Sequence, residues 1–289
     1  MAANRKRIVS TILKSAVSVV LLYLVFSKIA FNEVWATLKQ VSLFYLLLGV
    51  GFFVLSQWIS AKRLLIFMDH KGFHLSNRSN NILYLIGMFY NFFIPGGIGG
   101  DAYKVYALNR KFGWGIKDLS AIVFLDRFMG LTAIGFLVVL FSLQLLSELG
   151  FLWIAPLTLI AGLGAAYIFV IKLFPTYKNV YVKTLLVSVV VQALQALVII
   201  TVLYSLGDVS HLVEYILVFF VSSVLSIFSF SGIGIREFIF YQASQYLSID
   251  PSNAVSIGLL FSVITALVSL PGIFYHFKGP ELRLSDRTD

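Results

Sequence analysis

Among the charged residues that lie within or beside long apolar stretches of this sequence, five are candidates for function: Asp101, Asp126, Arg127, Arg236 and Glu237. In the hydrocarbon of a membrane, a charged side chain costs about 2.5–3.5 kcal/mol or more on insertion scales, so it persists only where it is paired, hydrated or functional. Acids and bases together in such a setting can bind an ion, balance a bound charge or carry protons.

Arg236 is informative because of its position. It lies in a glycine-rich segment that starts at Ser231, and it begins a short helical stretch. A cation at a helix N-terminus opposes the helix dipole and makes the site strongly electropositive. Together with the backbone N–H groups of a glycine-rich turn it can hold a phosphate, and a lipid phosphate is the natural anion in a membrane. Asp101 occupies the equivalent position after Pro95, where helix capping also explains an acid.

A second interpretation of these charges is structural: Glu237, Asp126 and Asp101 can neutralise the two arginines. Both interpretations can hold, because an anion carrier needs a balanced site when it is empty. Lys104 follows Asp101 on the same helical face and can either pass a phosphate towards the membrane surface or simply extend to that surface. The candidate substrate-binding residues are Arg127, Arg236, Asp101, Asp126, Glu237, Lys104 and Asn91.

The elements that position these residues follow from composition. Of the 289 residues, 59% are hydrophobic and only 12% are charged. A water-soluble domain has about 45–50% apolar and about 25% charged residues, so the composition predicts an all-α polytopic membrane protein. A helix needs about 20 apolar residues to cross the hydrocarbon. Six runs meet this length: 8–30, 42–66, 119–143, 152–173, 184–206 and 254–276.

Two further apolar stretches, 80–94 and 214–229, are too short to cross and run into glycine-rich breaks. A second short helical stretch follows each break, which predicts re-entrant hairpins over 80–110 and 214–247. Broken backbone is tolerated at that depth where it faces protein or a water-filled cavity. The alternative is that each hairpin is two full spans. The predicted break residues are Pro95, Gly96, Gly97, Gly99, Gly100, Ser231, Gly232 and Gly234.

The two hairpins also suggest an internal repeat. The offset that superimposes Gly97 on Gly232 carries the span near Leu119 onto the span near Ala254. We predict a single membrane domain over 1–289 with inverted repeats at 8–143 and 152–276, whose hairpins meet near the midplane, as in inverted-topology transporters. Chance recurrence of short glycine motifs is the alternative.

The 22 Lys and Arg residues set the orientation of this topology. All except Lys28, Lys39, Arg127 and Arg236 fall on one side, which the positive-inside rule assigns to the cytoplasm together with both termini. The net charge of +9 therefore indicates membrane topology rather than a nucleic-acid partner. The sequence has no cysteine and no HExxH or Walker motif, so we expect no metal, no cofactor and no catalytic residue.

Three ordered motifs carry a family resemblance: Pro95-Gly-Gly-Ile-Gly-Gly-Asp-Ala-Tyr-Lys104, Asp126-Arg127 with Gly130, and Ser231-Gly-Ile-Gly-Ile-Arg-Glu237. Together they resemble the lysylphosphatidylglycerol synthase transmembrane-region family, also called flippase-like, over nearly the whole chain. Phe230-Ser231 departs from the glycine- or proline-rich approach expected there.

The resemblance implies a bacterial inner-membrane protein. In larger members, the multiple-peptide-resistance proteins, such a domain moves an aminoacylated phospholipid between leaflets, and a soluble C-terminal domain synthesises that lipid. This chain ends shortly after its last predicted span, so we expect that it does not synthesise lysylphosphatidylglycerol.

The leading hypothesis is a lipid transporter, or flippase, that carries an anionic phospholipid or polyprenyl-phosphate-linked headgroup through a central polar cavity. One alternative is a membrane transferase or hydrolase that acts on a polyprenyl phosphate, with Asp101 or Glu237 as general base. Another is a scaffold for an enzyme of cell-envelope lipid synthesis. We expect membrane lipids as partners and no nucleic acid, while a lipid-modifying enzyme partner and a homo-oligomer stay open.

Overall fold

The computed structural model describes residues 39, 41–93, 97–226 and 235–285, which are almost entirely helical. Within these residues the one β element is an isolated bridge between Leu75 and Leu284, so the predicted all-α class is confirmed. The helices are α1 Leu43–His70, α2 Asn77–Phe93, α3 Gly99–Phe112, α4 Ile116–Phe141, α5 Leu143–Glu148, α6 Ile154–Leu173, a 3-10 helix Pro175–Val180, α7 Tyr181–Ser205, α8 Leu212–Leu225, α9 Ile235–Ser244, α10 Pro251–Ser269 and α11 Pro271–Lys278.

Among the described residues, five helical segments are long and apolar enough to cross a membrane. They are Leu43–His70, Ile116–Phe141, Ile154–Leu173, Pro175–Ser205 and Pro251–Lys278. These segments confirm the apolar helices predicted at 42–66, 119–143, 152–173, 184–206 and 254–276, and together they make the chain a multi-pass membrane protein. The sixth predicted span, 8–30, lies outside the described residues.

Helices α2 and α3 occupy the region of the first predicted hairpin. They have 17 and 14 residues, or about 26 and about 21 Å at 1.5 Å per residue. Phe73, just before α2, stacks on Trp114, just after α3, with ring centroids 4.5 Å apart, so the chain leaves this helix pair close to where it enters. The two helices touch where Gly100 meets Gly87, because a Cβ atom on Gly100 would collide with the Gly87 carbonyl.

Helices α8 and α9 occupy the region of the second predicted hairpin, with 14 and 10 residues. Asp208 lies just before α8 and accepts hydrogen bonds from Tyr215 Oη at 3.2 Å and from Asn253 Nδ2 at 3.0 Å. Asn253 is in the first turn of α10, which follows α9 closely in the chain, so α8 begins and α9 ends at the same end of the molecule. Several predicted break residues lie outside the described residues: Pro95, Gly96, Ser231, Gly232 and Gly234.

The two ends of the helix bundle differ in charge. At one end, Lys71 Nζ lies 2.9 Å from Asp118 Oδ1 and joins the end of α1 to the start of α4. We call this the basic end, because it holds Lys71, Arg78, Arg110, Lys111, Lys117, Lys172, Lys178, Lys183, Lys278 and Arg283. At the other, acidic end, Ser42 N donates to Ser205 O at 3.0 Å. The acids there are Glu148, Asp208, Glu214 and Asp250. Helices α2 and α3 meet the surface at the basic end, whereas α8 and α9 meet it at the acidic end.

The two larger apolar cores lie one behind the other along the bundle, and a smaller one contains Phe89, Phe92 and Ala266. One contains Phe53, Phe219 and Phe261, in which the Phe53 and Phe261 rings make an edge contact at 5.6 Å. The other is nearer the basic end and contains Leu64 and Leu83, with Tyr84 packed against it. Polar residues collect where the two cores meet.

Candidate functional site

A cavity of about 280 Å³ lies between the two pairs of short helices. Seven helices line it: α1, α2, α3, α7, α8, α9 and α10. The apolar lining comes from Phe53, Met88, Phe92 and Phe261, and the polar lining comes from Gln57, Tyr84, Asn91, Lys104, Gln195, Ser223, Arg236 and Thr265. The cavity therefore has two cations and, among the described residues that line it, no carboxylate.

Arg236 is the cation on the α9 side of the cavity. Only 7% of its surface is exposed, and its Nε atom is buried with no hydrogen-bond partner among the described residues. Its guanidinium carbon lies 4.5 Å from the centroid of the Phe261 ring, and Nη1 makes a long contact of 3.5 Å with Ser262 Oγ. Ser262 Oγ in turn lies 3.1 Å from Glu237 Oε1. A buried donor without a partner is costly, so this guanidinium has an unused capacity to bind an anion.

Lys104 is the cation on the α3 side. It is 4% exposed, its Nζ atom lies 3.3 Å from Asp101 Oδ1, and the ammonium sits 4.5 Å from the centroid of the Tyr84 ring. The lysine crosses α2 at Gly87, where a Cβ atom would lie 2.6 Å from Lys104 Cε. The glycine thus opens the path that brings the ammonium to the cavity wall.

Asp101 and Arg127 form an ion pair that does not line the cavity. Arg127 Nε donates to Asp101 Oδ2, and its Nη2 donates to the Gly97 carbonyl, so this arginine holds the start of α3. Asn91 does line the cavity, and its Oδ1 accepts a hydrogen bond from Gly100 N at 2.8 Å. One polar side chain therefore serves both the first turn of α3 and the cavity wall.

Asp126 has a different partner from its neighbour Arg127. Its Oδ1 lies 2.7 Å from Arg63 Nε, and Arg63 Nη1 donates to Ser188 Oγ at 2.8 Å. Both charged residues are 5% exposed, and Gly130 leaves room for the guanidinium, which a Cβ atom there would approach to 3.5 Å. This cluster joins α1, α4 and α7 beside the cavity rather than within its lining.

Arg63, one of the bases assigned above to the cytoplasmic side, is buried within α1 rather than exposed at the surface. The sequence does indicate this burial, because Arg63 falls inside the apolar run 42–66. Sequence reasoning also missed Tyr84, Gln195, Ser223 and Thr265 as lining residues. Tyrosines, serines and threonines are common throughout such helices, and only the packing of the helices selects those that line a cavity.

Residues 11–184 match the family model described as the lysylphosphatidylglycerol synthase TM region, which is more than half of the chain. The matched part includes Lys104, the Asp101–Arg127 pair and the Arg63–Asp126 pair, whereas Arg236 lies beyond it. No curated protein matches the chain.

Proposed function

Because the chain belongs to the lysylphosphatidylglycerol synthase transmembrane-region family, we propose that it is a lipid transporter. Its substrate is an anionic phospholipid or a polyprenyl-phosphate-linked lipid, whose headgroup crosses through the central cavity. The observation that carries the proposal is Arg236, a buried arginine whose Nε has no hydrogen-bond partner among the described residues, in a cavity that also holds Lys104. Two cations, with no carboxylate among the described lining residues, favour a phosphate over a zwitterionic or cationic group.

In this proposal the phosphate binds between Lys104 and Arg236. When the cavity is empty, Asp101 neutralises Lys104; when the phosphate arrives, the ammonium exchanges this carboxylate for the phosphate. Arg127 keeps Asp101 in place through the exchange, because it binds the other carboxylate oxygen. A cavity of about 280 Å³ accommodates a headgroup rather than a whole lipid, so the acyl chains stay in the bilayer.

We further propose the full architecture: six spans, two re-entrant hairpins and an inverted repeat in the bacterial inner membrane, with both termini cytoplasmic. The α2–α3 pair begins and ends at the basic end, and the α8–α9 pair begins and ends at the acidic end, which supports hairpins that enter from opposite faces. The positive-inside rule then places the basic end in the cytoplasm. Broken helices from opposite faces that share one cavity are the arrangement of inverted-topology transporters.

The test is transport of fluorescent phosphatidylglycerol by the full chain in proteoliposomes, followed by chemical quenching of the outer leaflet. A hydrogen bond to a charged group contributes about 1.5–3 kcal/mol, so we expect Arg236→Ala to lower the transport rate about 10- to 100-fold. Arg236→Lys keeps the positive charge but lacks the forked N–H donors, so its transport rate should lie between those of the wild type and Arg236→Ala. A wild-type rate for Arg236→Ala in a folded protein overturns the proposal.

The matched control is Arg283→Ala. Arg283 has a 78% exposed side chain at the basic end, so the variant loses the same charge away from the cavity and should transport at the wild-type rate. Thermal unfolding of each variant in detergent separates loss of transport from loss of fold. The same liposomes test the enzymatic alternative, because a chemically altered lipid in the extracted products contradicts pure transport.

A further inference from the structure

A second cavity lies at the basic end of the molecule, apart from the central one. It is a surface groove of about 590 Å³ between the second half of α3 and the segment that follows α11. The α3 wall presents Tyr106, Arg110 and Lys111, and the opposite wall presents His276 and Pro280. We call it the surface groove; the transport proposal does not use it.

The charges of the surface groove are of one sign. Arg110 and Lys111 are exposed, and among the described residues neither forms an ion pair, nor does a described carboxylate line the groove. Arg110 is nevertheless ordered, because its Nη1 donates to Tyr106 Oη at 2.6 Å and its guanidinium lies 5.8 Å from the centre of that ring. A base held against an aromatic ring at a membrane surface is preorganised for a phosphate.

The opposite wall is fixed by the fold rather than by a loose terminal segment. Leu284 forms a β-bridge with Leu75, Arg283 N donates to Ser79 Oγ at 2.8 Å, and Ser285 N donates to His74 O at 2.9 Å. Leu282 is 5% exposed and packs in the core of the basic end. The segment after α11 is thus tied to the α1–α2 connection and to the first turn of α2, so these contacts hold this wall of the groove in place.

One layer of aromatic residues connects the groove with the central cavity. Tyr103 lines the groove, whereas its neighbour Lys104 lines the cavity. Tyr90 stacks on Tyr103 with centroids 5.0 Å apart, and its hydroxyl lies 3.2 Å from His276 Nε2. The neighbour of Tyr90, Asn91, again lines the cavity. The two sites are therefore distinct but share a wall.

We infer that the surface groove is a second binding site, which takes the phosphate of an anionic lipid headgroup at the membrane surface. Arg110 and Lys111 bind the phosphate, and the tyrosines occupy the level of the headgroups, where aromatic rings are favoured. The site stands independently of the transport proposal, because it needs only a leaflet that contains anionic lipid.

The test uses the full chain in lipid nanodiscs that contain phosphatidylglycerol with a photoreactive group next to its phosphate. Labelled peptides are identified by mass spectrometry, and we expect labels in 103–111 and 276–282. Each surface base contributes about 1 kcal/mol to binding of anionic lipid. The double variant Arg110→Gln/Lys111→Gln should therefore lower labelling of 276–282 at least about 10-fold, which corresponds to about 1.4 kcal/mol.

The matched control is Lys178→Gln/Lys183→Gln, which removes two exposed bases from the same end but outside the groove. This control should leave labelling of 276–282 unchanged. An equal loss of labelling in both double variants would show that general surface charge causes the effect, and it would contradict a binding site in the groove. If excess inorganic phosphate at constant ionic strength prevents labelling, the groove binds free phosphate, and the proposal that it binds a lipid headgroup is contradicted. Arg236→Ala should keep the groove labels whether or not it transports lipid, which separates this inference from the transport proposal.

Discussion

Removing Asp126 tests whether this residue stabilises the fold or takes part in transport. In the structure its partner is Arg63, with an Nε–Oδ1 distance of 2.7 Å and side-chain exposures of 6% and 8%. Asp126→Leu leaves the guanidinium buried with Ser188 as its remaining described partner. We expect this variant to be strongly destabilised, because an uncompensated buried charge remains in the bundle.

The magnitude follows from burial. Removing one partner of a buried pair costs about 3–5 kcal/mol, whereas replacing both by apolar residues of similar size is close to neutral. Asp126→Leu/Arg63→Met should therefore recover most of the free energy of unfolding that Asp126→Leu loses. The matched control is Asp118→Leu, since its pair with Lys71 has side-chain exposures of 44% and 31%. An exposed pair contributes at most about 1 kcal/mol.

The free energy of unfolding is measured by titration with a denaturing detergent, with helix content followed by circular dichroism. Lipid transport is measured on the same preparations. If Asp126→Leu unfolds no more easily than Asp118→Leu but transports no lipid, then Asp126 acts in transport and its structural role is refuted.

Two further predictions test other parts of the structure. In Gly100→Ala, the new Cβ collides with the Gly87 carbonyl, and such overpacking costs about 1–3 kcal/mol. We therefore expect a lower midpoint of thermal unfolding for this variant. The control is Gly51→Ala, whose Cβ meets nothing within 4 Å, so its midpoint should not fall. The pKa of Asp208 lies below its ordinary 3.8: partial burial raises it, but hydrogen bonds from Ser210, Asn253 and Tyr215 favour the charged form and outweigh burial. The stability from this carboxylate is present above the ordinary pKa and is lost as the pH falls through the lowered pKa. Asp208→Asn should therefore flatten the acid limb of stability below the ordinary pKa. An unchanged acid limb in that variant contradicts the role of Asp208.

The spans could be predicted from the sequence because a helix that crosses the hydrocarbon must be long and apolar, and long apolar runs are directly visible in a sequence. The helix ends were less predictable. Helix α1 continues to His70, past the predicted limit of 66, because Phe67 and Met68 are still buried in the bundle, and Asp69 and His70 complete the last turn. The last span is divided at Leu270, because Pro271 has no N–H to continue the helix and begins α11 instead.

The pairing of the embedded charges could not be predicted, since adjacent residues on a helix point about 100° apart. Asp126 and Arg127 are neighbours in sequence, yet Asp126 contacts Arg63 on α1 and Arg127 contacts Asp101 on α3. The pairing of Lys104 with Asp101 follows from their i, i+3 spacing, and the structure has it at 3.3 Å. Local spacing therefore gives contacts within one helix, whereas contacts between helices require the packed bundle.

The arrangement of the two cations bears on how a bound phosphate can be released. Lys104 and Arg236 come from helix pairs that meet opposite ends of the bundle, and each has a carboxylate close by in sequence that does not line the cavity. A phosphate must displace Asp101 from Lys104, so part of its binding free energy is offset by the ion pair that it breaks. The Nε atom of Arg236 has no hydrogen-bond partner to displace among the described residues, so its hydrogen bond to a phosphate breaks no existing one. In the proposed transport, Asp101 returns to Lys104 as the lipid leaves, and the ion pair that forms again favours release of the phosphate.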